Sequence, residues 1–276
     1  MAKQLESLTI ADDFMFRAVM RRPKLCKPLL ELVLGVRIRS IEYPELQKTI
    51  DERYGSKSVR LDVYVEDEAG TVYDVEIQTA SKRNLPKRTR YYQGIIDIHI
   101  LEKGEDYQAL KKSFVIFICT YDPFGAGRFV YTFENRCLED FRISLGDEST
   151  KIILNTKGSA GEISDGLKDL LYFMDGREPN SAYTRSLAAA VEEVKSDAEW
   201  RRDYMVLLER DMENKRLGRH CQTVSAVRRG REKYSAEAIA DLMMVTPATV
   251  NMILSAIDAH PEWNDEEVAE NLDFDG

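Results

Sequence analysis

Two short stretches alternate between apolar and polar residues across a segment of turn chemistry. This pattern limits the fold more than any other part of the 276-residue chain. From Val59 to Val65, Val59, Leu61, Val63 and Val65 fall on one side and Arg60, Asp62 and Tyr64 on the other. From Val72 to Gln78, Tyr73, Val75 and Ile77 fall on one side and Asp74, Glu76 and Gln78 on the other. A period of two is that of a strand with one face toward a core. Between them, Glu66-Asp67-Glu68-Ala69-Gly70-Thr71 suits a tight turn, with Gly70 free to take a positive φ. The register follows. With Glu68-Ala69-Gly70 as the loop, paired residue numbers sum to 138, so Asp62 faces Glu76, Tyr64 faces Asp74 and Arg60 faces Gln78. A five-residue loop gives the same pairing. An even-numbered loop would set Asp62 against an apolar residue and break both faces.

Directly opposed carboxylates destabilise a sheet unless a cation, a shared proton or open water relieves them. A divalent ion such as Mg²⁺ takes hard oxygen ligands and keeps several waters, so two carboxylates can hold it. Gln78 points to the same side as Glu76, and the Ile77 carbonyl between them is a candidate further ligand. The stretch from Lys82 to Arg90 then carries five bases (Lys82, Arg83, Lys87, Arg88, Arg90) and no acid. Acids for a metal beside bases for phosphate is the layout of metal-assisted phosphodiester hydrolysis. The formal charge of −9 does not argue against a polyanionic substrate. Seven acids and no base lie between Pro261 and Gly276, and setting them aside takes the charge from −9 to −2.

Arg60-Leu61-Asp62-Val63-Tyr64-Val65, Tyr73-Asp74-Val75-Glu76-Ile77-Gln78 and Leu85-Pro86-Lys87-Arg88-Thr89-Arg90-Tyr91-Tyr92 resemble the PD-(D/E)XK nuclease superfamily. The branch they look like is the bacterial recombination-promoting nuclease (Rpn)/transposase family. Ala11-Asp12-Asp13-Phe14-Met15-Phe16 and Tyr121-Asp122-Pro123-Phe124-Gly125 resemble it too, over roughly Leu8 to Thr156. The resemblance implies an α/β fold with a restriction-endonuclease-like core, a mixed sheet flanked by helices. It implies Asp62 and Glu76 as catalytic metal ligands, with Asp13 as an acidic position that joins the metal site. It sets Gln78 where the superfamily motif usually has a lysine. Glu-x-Gln is typical of this branch, so activity is still expected, but glutamine orients water without bringing charge. The cationic role then passes to the metal or to Lys82, Arg88 or Arg90. Lys82, Arg88, Arg90 and Tyr91 are the candidate nucleic-acid contacts, with Tyr91 serving either packing or base stacking.

The rest of the chain supplies the frame. Helices are predicted from Thr9 to Met20 and from Leu25 to Leu34, then a short strand over 37–43. A helix opens at Leu85-Pro86 and runs to about Gly104. Ser113 to Thr120 reads as a strand buried on both faces, and Arg128 to Phe133 as another. The expected division is a nuclease-like domain over 1–157, a helical extension over 158–233, a helix-turn-helix-like unit over 234–260 and a loose acidic tail over 261–276. Near-heptad spacing of Leu187, Val191, Val194, Ala198, Met205, Leu208 and Met212 predicts a long helix that packs on the domain or pairs copies into a homo-oligomer. The second helix of the 234–260 unit carries no Lys or Arg, which favours a packing element over a DNA reader. Cys26, Cys119, Cys137 and Cys221 form no CxxC pair, and His99, His220 and His260 stand beside no nucleophile, which argues against a zinc ribbon or a triad. No apolar run spans a membrane and the first residues carry no signal core, so a cytoplasmic protein is expected.

The sequence therefore predicts a Mg²⁺-dependent DNA endonuclease, with Mn²⁺ as a substitute and a link to recombination or transposition by resemblance. Its rivals are a catalytically inactive DNA-binding or protein-interaction module on the same fold, and a hydrolase of small phosphorylated compounds.

Overall fold

The structure is a computed structural model and describes residues 3–43, 61–81, 83–272 and 274. Val59, Arg60 and Lys82 lie outside the described residues. Helix α1 (Asp13–Met20) leads into α2 (Pro23–Leu34), which starts on a proline and stops at Gly35 with φ +68°. Strand β1 (Ile41–Glu42) is shorter than the predicted strand. Strands β2 (Val63–Asp67) and β3 (Val72–Gln78) form the hairpin read from the alternation. Val63 pairs with Val75, Tyr64 with Asp74, and Val65 with Tyr73, so the register is the predicted one. Glu68-Ala69-Gly70 is the loop, closed by the Asp67 N–H on the Thr71 carbonyl at 3.0 Å, with Gly70 at φ +79°.

Helix α3 (Leu85–Ile100) is the crossover from β3 to the parallel strand β4 (Ser113–Cys119). Strand β5 (Val130–Phe133) follows, then β6 (Ser149–Asn155), a strand that the periodicity did not reveal. The sheet order is β1-β2-β3-β4-β6-β5, with β3, β4 and β6 parallel and the other pairs antiparallel, which makes the sheet mixed. β4 is central and almost wholly buried, as its unbroken apolar run requires.

One face of the sheet departs from expectation. Asp74, Glu76 and Gln78 do not meet water as the polar side of a half-exposed hairpin. They are buried, because their face continues into Val115, Phe117 and Ile153, on which Leu85, Tyr92 and Ile96 of α3 pack. On the other face α1 packs against β3. Helices α4 (Asp165–Met174) and α5 (Ala182–Ser196) complete that layer against α1 and α2. Both are capped by serine side chains, Ser164 on the Leu167 N–H and Ser181 on the Thr184 N–H. This first compact unit therefore runs to Arg201, past the boundary read at 157.

The second unit, from Arg202, holds most of α6 (Ala198–Gly230), then α7 (Ala236–Met243), α8 (Pro247–Ala259) and α9 (Asp265–Asn271). α7 and α8 meet at 113°, within the range of a helix-turn-helix. Val224, Val227, Ile239, Val250, Ile253 and Ile257 form its core. The acidic tail is a correction to the reading. Its middle is α9, whose Val268 and Ala269 enter this core, while Arg228 holds Asp265 Oδ1 and the Trp263 carbonyl at 2.8 Å each. The apolar pair inside an acid-rich run supplies the anchor that charge counting overlooks. Among the described residues no single helix is long and apolar enough to cross a membrane.

Because Val268 is fully buried, Val268→Asp should destabilise the second unit by about 3 kcal/mol or more. A lower urea midpoint by circular dichroism would show it, whereas a loose tail would leave the midpoint unchanged.

Candidate active site

Asp62 immediately precedes β2, and the hairpin register sets it opposite Glu76 of β3. Each acid takes a backbone donor from the other's strand. The Asp62 N–H donates to Glu76 Oε1 at 2.8 Å, and the Ile77 N–H donates to Asp62 Oδ2 at 3.3 Å. One oxygen of each carboxyl remains. Asp62 Oδ1 lies 3.8 Å from Arg17 Nε of α1, and Glu76 Oε2 lies 3.6 Å from Arg88 Nη2 of α3. Both distances are ion pairs without a hydrogen bond. Ile77, whose N–H reaches Asp62, turns its backbone to the β2 edge between the two acids.

Arg88 is held from several sides. Its Nη1 donates to Gln78 Oε1 and its Nη2 to the Tyr92 hydroxyl at 2.8 Å. Its guanidinium lies over the rings of Tyr92 and Phe117, 5.3 and 5.2 Å from their centroids. The other end of the Gln78 amide donates to the Ala80 carbonyl at 2.7 Å. Gln78 is thus engaged at both ends, and its acceptor oxygen fixes an arginine.

Asp74, two residues before Glu76 on the same face, is fully buried; it takes no N–H or hydroxyl donor among the described residues, and its hydrogen-bonding neighbour is the Glu76 carboxyl. Burial raises the Asp74 carboxyl well above the usual range, with the charge of Asp62 adding to the rise. Glu76 is raised in the same way, by burial first and then by Asp74 and Asp62. Asp62 is pushed up to about 7, by burial and then by Asp13, against the opposing pull of Arg17, the Ile77 N–H and Arg88. Asp13, at the first turn of α1, keeps access to solvent. The surrounding protein still strips enough water to raise its carboxyl, while Arg17 opposes the rise. Four carboxyls act on one another here, with two guanidinium groups to balance them.

Residues 11–137 match the family described as PD-(D/E)XK nuclease family transposase. That segment belongs to this family. The match contains Asp13, Asp62, Glu76, Gln78 and α3, and it ends before β6. No curated protein and no solved structure matches the chain.

PD-(D/E)XK nucleases generally use divalent metals, and the donor set here suits a hard one. Asp62 Oδ1 and Glu76 Oε2 accept no hydrogen bond among the described residues, and an excess of mutually raised carboxyls is what a cation would relieve. Among the described residues no three His, Cys, Asp or Glu side chains converge on one point, so the fit rests on two carboxylates supplemented by backbone and water. The sequence-predicted residues separate into two groups. Asp62, Glu76, Gln78 and Arg88 come together, with Asp13 coupled to them through its charge. Arg90 and Tyr91 stand on the exposed side of α3 with Arg83 and Lys87 nearby in sequence, and Lys82 lies outside the described residues. Sequence reasoning missed Asp74, Arg17 and Tyr92 as members of the cluster. Asp74 was detectable as the residue two before Glu76 on the same strand face, and Arg17 as the residue one helical turn after Asp13. The Asp122 motif serves the loop: its carboxylate accepts from the Gly127 and Phe124 N–H groups and the Tyr131 hydroxyl.

A carboxyl raised on folding holds its proton more tightly in the native chain, so its stabilising contribution is complete below pH 4 and is lost as pH rises through the folded value. The metal-free chain should therefore lose stability between about pH 4 and pH 7, the window set by the ordinary carboxyl value and by Asp62 at about 7. Asp62→Asn should flatten that loss and stabilise the chain at pH 8 by about 2 kcal/mol, read from melting curves in chelator.

Proposed function

We propose that this chain is a Mg²⁺-dependent DNA endonuclease that hydrolyses phosphodiester bonds in recombination or transposition. The observation that carries the reading is the opposed pair Asp62 and Glu76, each with one oxygen left over, beside a guanidinium fixed by Gln78. Asp62 and Glu76 would hold the metal, with the Ile77 carbonyl and water as supplementary donors, and Asp13, expected from the resemblance as a further ligand, would act on the site through its charge. When bound, the ion lowers the pKa of a water and offsets charge on the scissile phosphate. Mn²⁺ should substitute, since it also accepts oxygen ligands.

The residues of the chain supply the rest. Arg88 brings the positive charge that the superfamily lysine brings elsewhere, and Gln78 is its positioning residue. Tyr92 and Phe117 hold the guanidinium against their rings. Arg83, Lys87 and Arg90, exposed around the start of α3, are suited to hold phosphates on either side of the scissile bond, and Tyr91 is the candidate contact for a base. Four free cysteines suit a reducing cytoplasm.

A second reading has its own support. Arg17 and Arg88 stand at 3.8 and 3.6 Å from the two leftover oxygens, so they serve in part as the counter-charge. A catalytically inactive module that binds DNA or protein would keep that arrangement permanently. Such a protein would bind DNA with a steep salt dependence yet never cut it with Mg²⁺ or Mn²⁺.

Nicking of supercoiled plasmid separates the two. The active reading expects cleavage that chelator abolishes and that Asp62→Ala and Glu76→Ala reduce by about 10²-fold or more. Gln78→Lys, although it restores the usual superfamily residue, should also lower the rate about tenfold or more, because it sets an ammonium against Arg88. Wild-type rates in Asp62→Ala and Glu76→Ala would reject the assignment. A faster Gln78→Lys enzyme would reject the role given to Arg88.

A further inference from the structure

Outside the acid cluster, a run of exposed apolar side chains lies at the end of the sheet. After β5 the chain forms a two-stranded arm. The Cys137 N–H donates to the Ile143 carbonyl at 3.0 Å, the Leu145 N–H donates to the Asn135 carbonyl at 2.9 Å, and Arg136 bridges to Ser144. This pairing puts Cys137, Ile143, Asn135 and Leu145 on one face of the arm, with Phe133 of β5 on the same side, and Arg136 and Ser144 on the other. Leu138 and Phe141 stand at the tip. Leu138 is 79% exposed, Phe141 68%, Ile143 55%, Leu145 70% and Phe133 45%. Phe124, itself partly exposed, extends the surface by a ring contact with Phe133 at 5.2 Å.

A two-stranded ribbon with its apolar face in water is marginal on its own. The patch also stands at the upper end of what an isolated chain normally shows. From these residues we infer that a second copy of this chain covers the arm and the edge of β5 in a two-fold dimer. Three observations select that occupant. The first is area. Six large apolar side chains at these exposures offer on the order of 600 Å² per copy, close to the ~800 Å² per partner of a stable interface once a polar rim is added. The second is the edge itself. β5 is the last strand of the sheet, and its odd-numbered residues face β6 while Val130 and Thr132 have no backbone partner among the described residues. An antiparallel strand related by a two-fold axis offers the matching ladder and brings identical faces together. The third is charge. Residues 134–148 carry five acids and two arginines, which disfavours DNA on this face. Both arginines are already paired within the arm, Arg136 with Glu134 at 2.9 Å and Arg142 with Asp140 at 2.8 Å. The other three acids, Glu139, Asp147 and Glu148, stand in no ion pair among the described residues, so contact between two arms should strengthen as salt screens them.

The inference does not rest on the metal site and can fail or stand without it. Sedimentation velocity on the full chain should give a concentration-dependent species of twice the chain mass. Phe141→Glu with Ile143→Glu should return it to one chain mass with unchanged circular dichroism, since both positions are solvent-exposed in the single chain. Met212→Glu, on an exposed position of α6, should leave the dimer intact. A wild-type chain that stays monomeric over the whole series overturns the inference and leaves the arm to a different protein partner. A dimer that survives the arm substitutions, or that Met212→Glu dissolves, also overturns it by moving the interface to α6.

Discussion

Three carboxyl groups on adjoining strands, Asp62, Asp74 and Glu76, lie under a helix that removes most of their water. Charge transferred out of water costs several kcal/mol per group unless donors or counter-ions replace the lost hydration. The surroundings supply that replacement in part only. Two backbone N–H groups serve Asp62 and Glu76, two guanidinium groups approach without hydrogen-bonding to them, and Asp74 has only the neighbouring Glu76 carboxyl among the described residues. A purely structural core would replace such a group with valine. This shortfall of donors around the three carboxyls is what the proposed cation would relieve.

The topology explains how the positive groups arrive. Only six residues separate the end of β3 at Gln78 from the start of α3 at Leu85, so the first turns of that helix are bound to lie near the end of the strand they follow. Arg88 is delivered from there, and Tyr92, one turn later, supplies both a ring and a hydroxyl for it. From the opposite face α1 brings Asp13 and Arg17 to the same place. Two helices from opposite layers thus converge on the hairpin where the two acids meet. The parallel pairing of β3 with β4 keeps that hairpin in the buried middle of the sheet.

The hairpin and its register were legible because alternation fixes facing, and facing fixes which residues oppose each other. The central strand was legible from its unbroken apolar run. Strand β6 was not, since Ser149-Thr150-Lys151-Ile152-Ile153-Leu154-Asn155 shows neither alternation nor a long apolar stretch, and only its place between β4 and β5 makes it a strand. Asp62 and Glu76 were found by pairing arithmetic. The burial of their face was not, because a strand's polar residues announce solvent until a helix is known to cover them. The role of Gln78 changed for a related reason: its neighbour Arg88 is ten residues away in sequence and adjacent in space. α9 was hidden by the acids around Val268, whose burial depends on contacts with α6, α7 and α8 that no local pattern encodes.

The turn between β2 and β3 holds one more consequence. Asp67 organises it, accepting from the Ala69 and Thr71 N–H groups at 2.9 Å and from the Tyr73 hydroxyl at 2.6 Å. Facing alternates with every residue, so the meeting of Asp62 with Glu76 depends on whether that turn is odd or even in length, although the turn touches neither acid. A single codon gained or lost there would turn one acid away from the other while leaving every residue of the cluster unmutated. Lineages descended from such a chain can shorten or lengthen this bend only in steps of two.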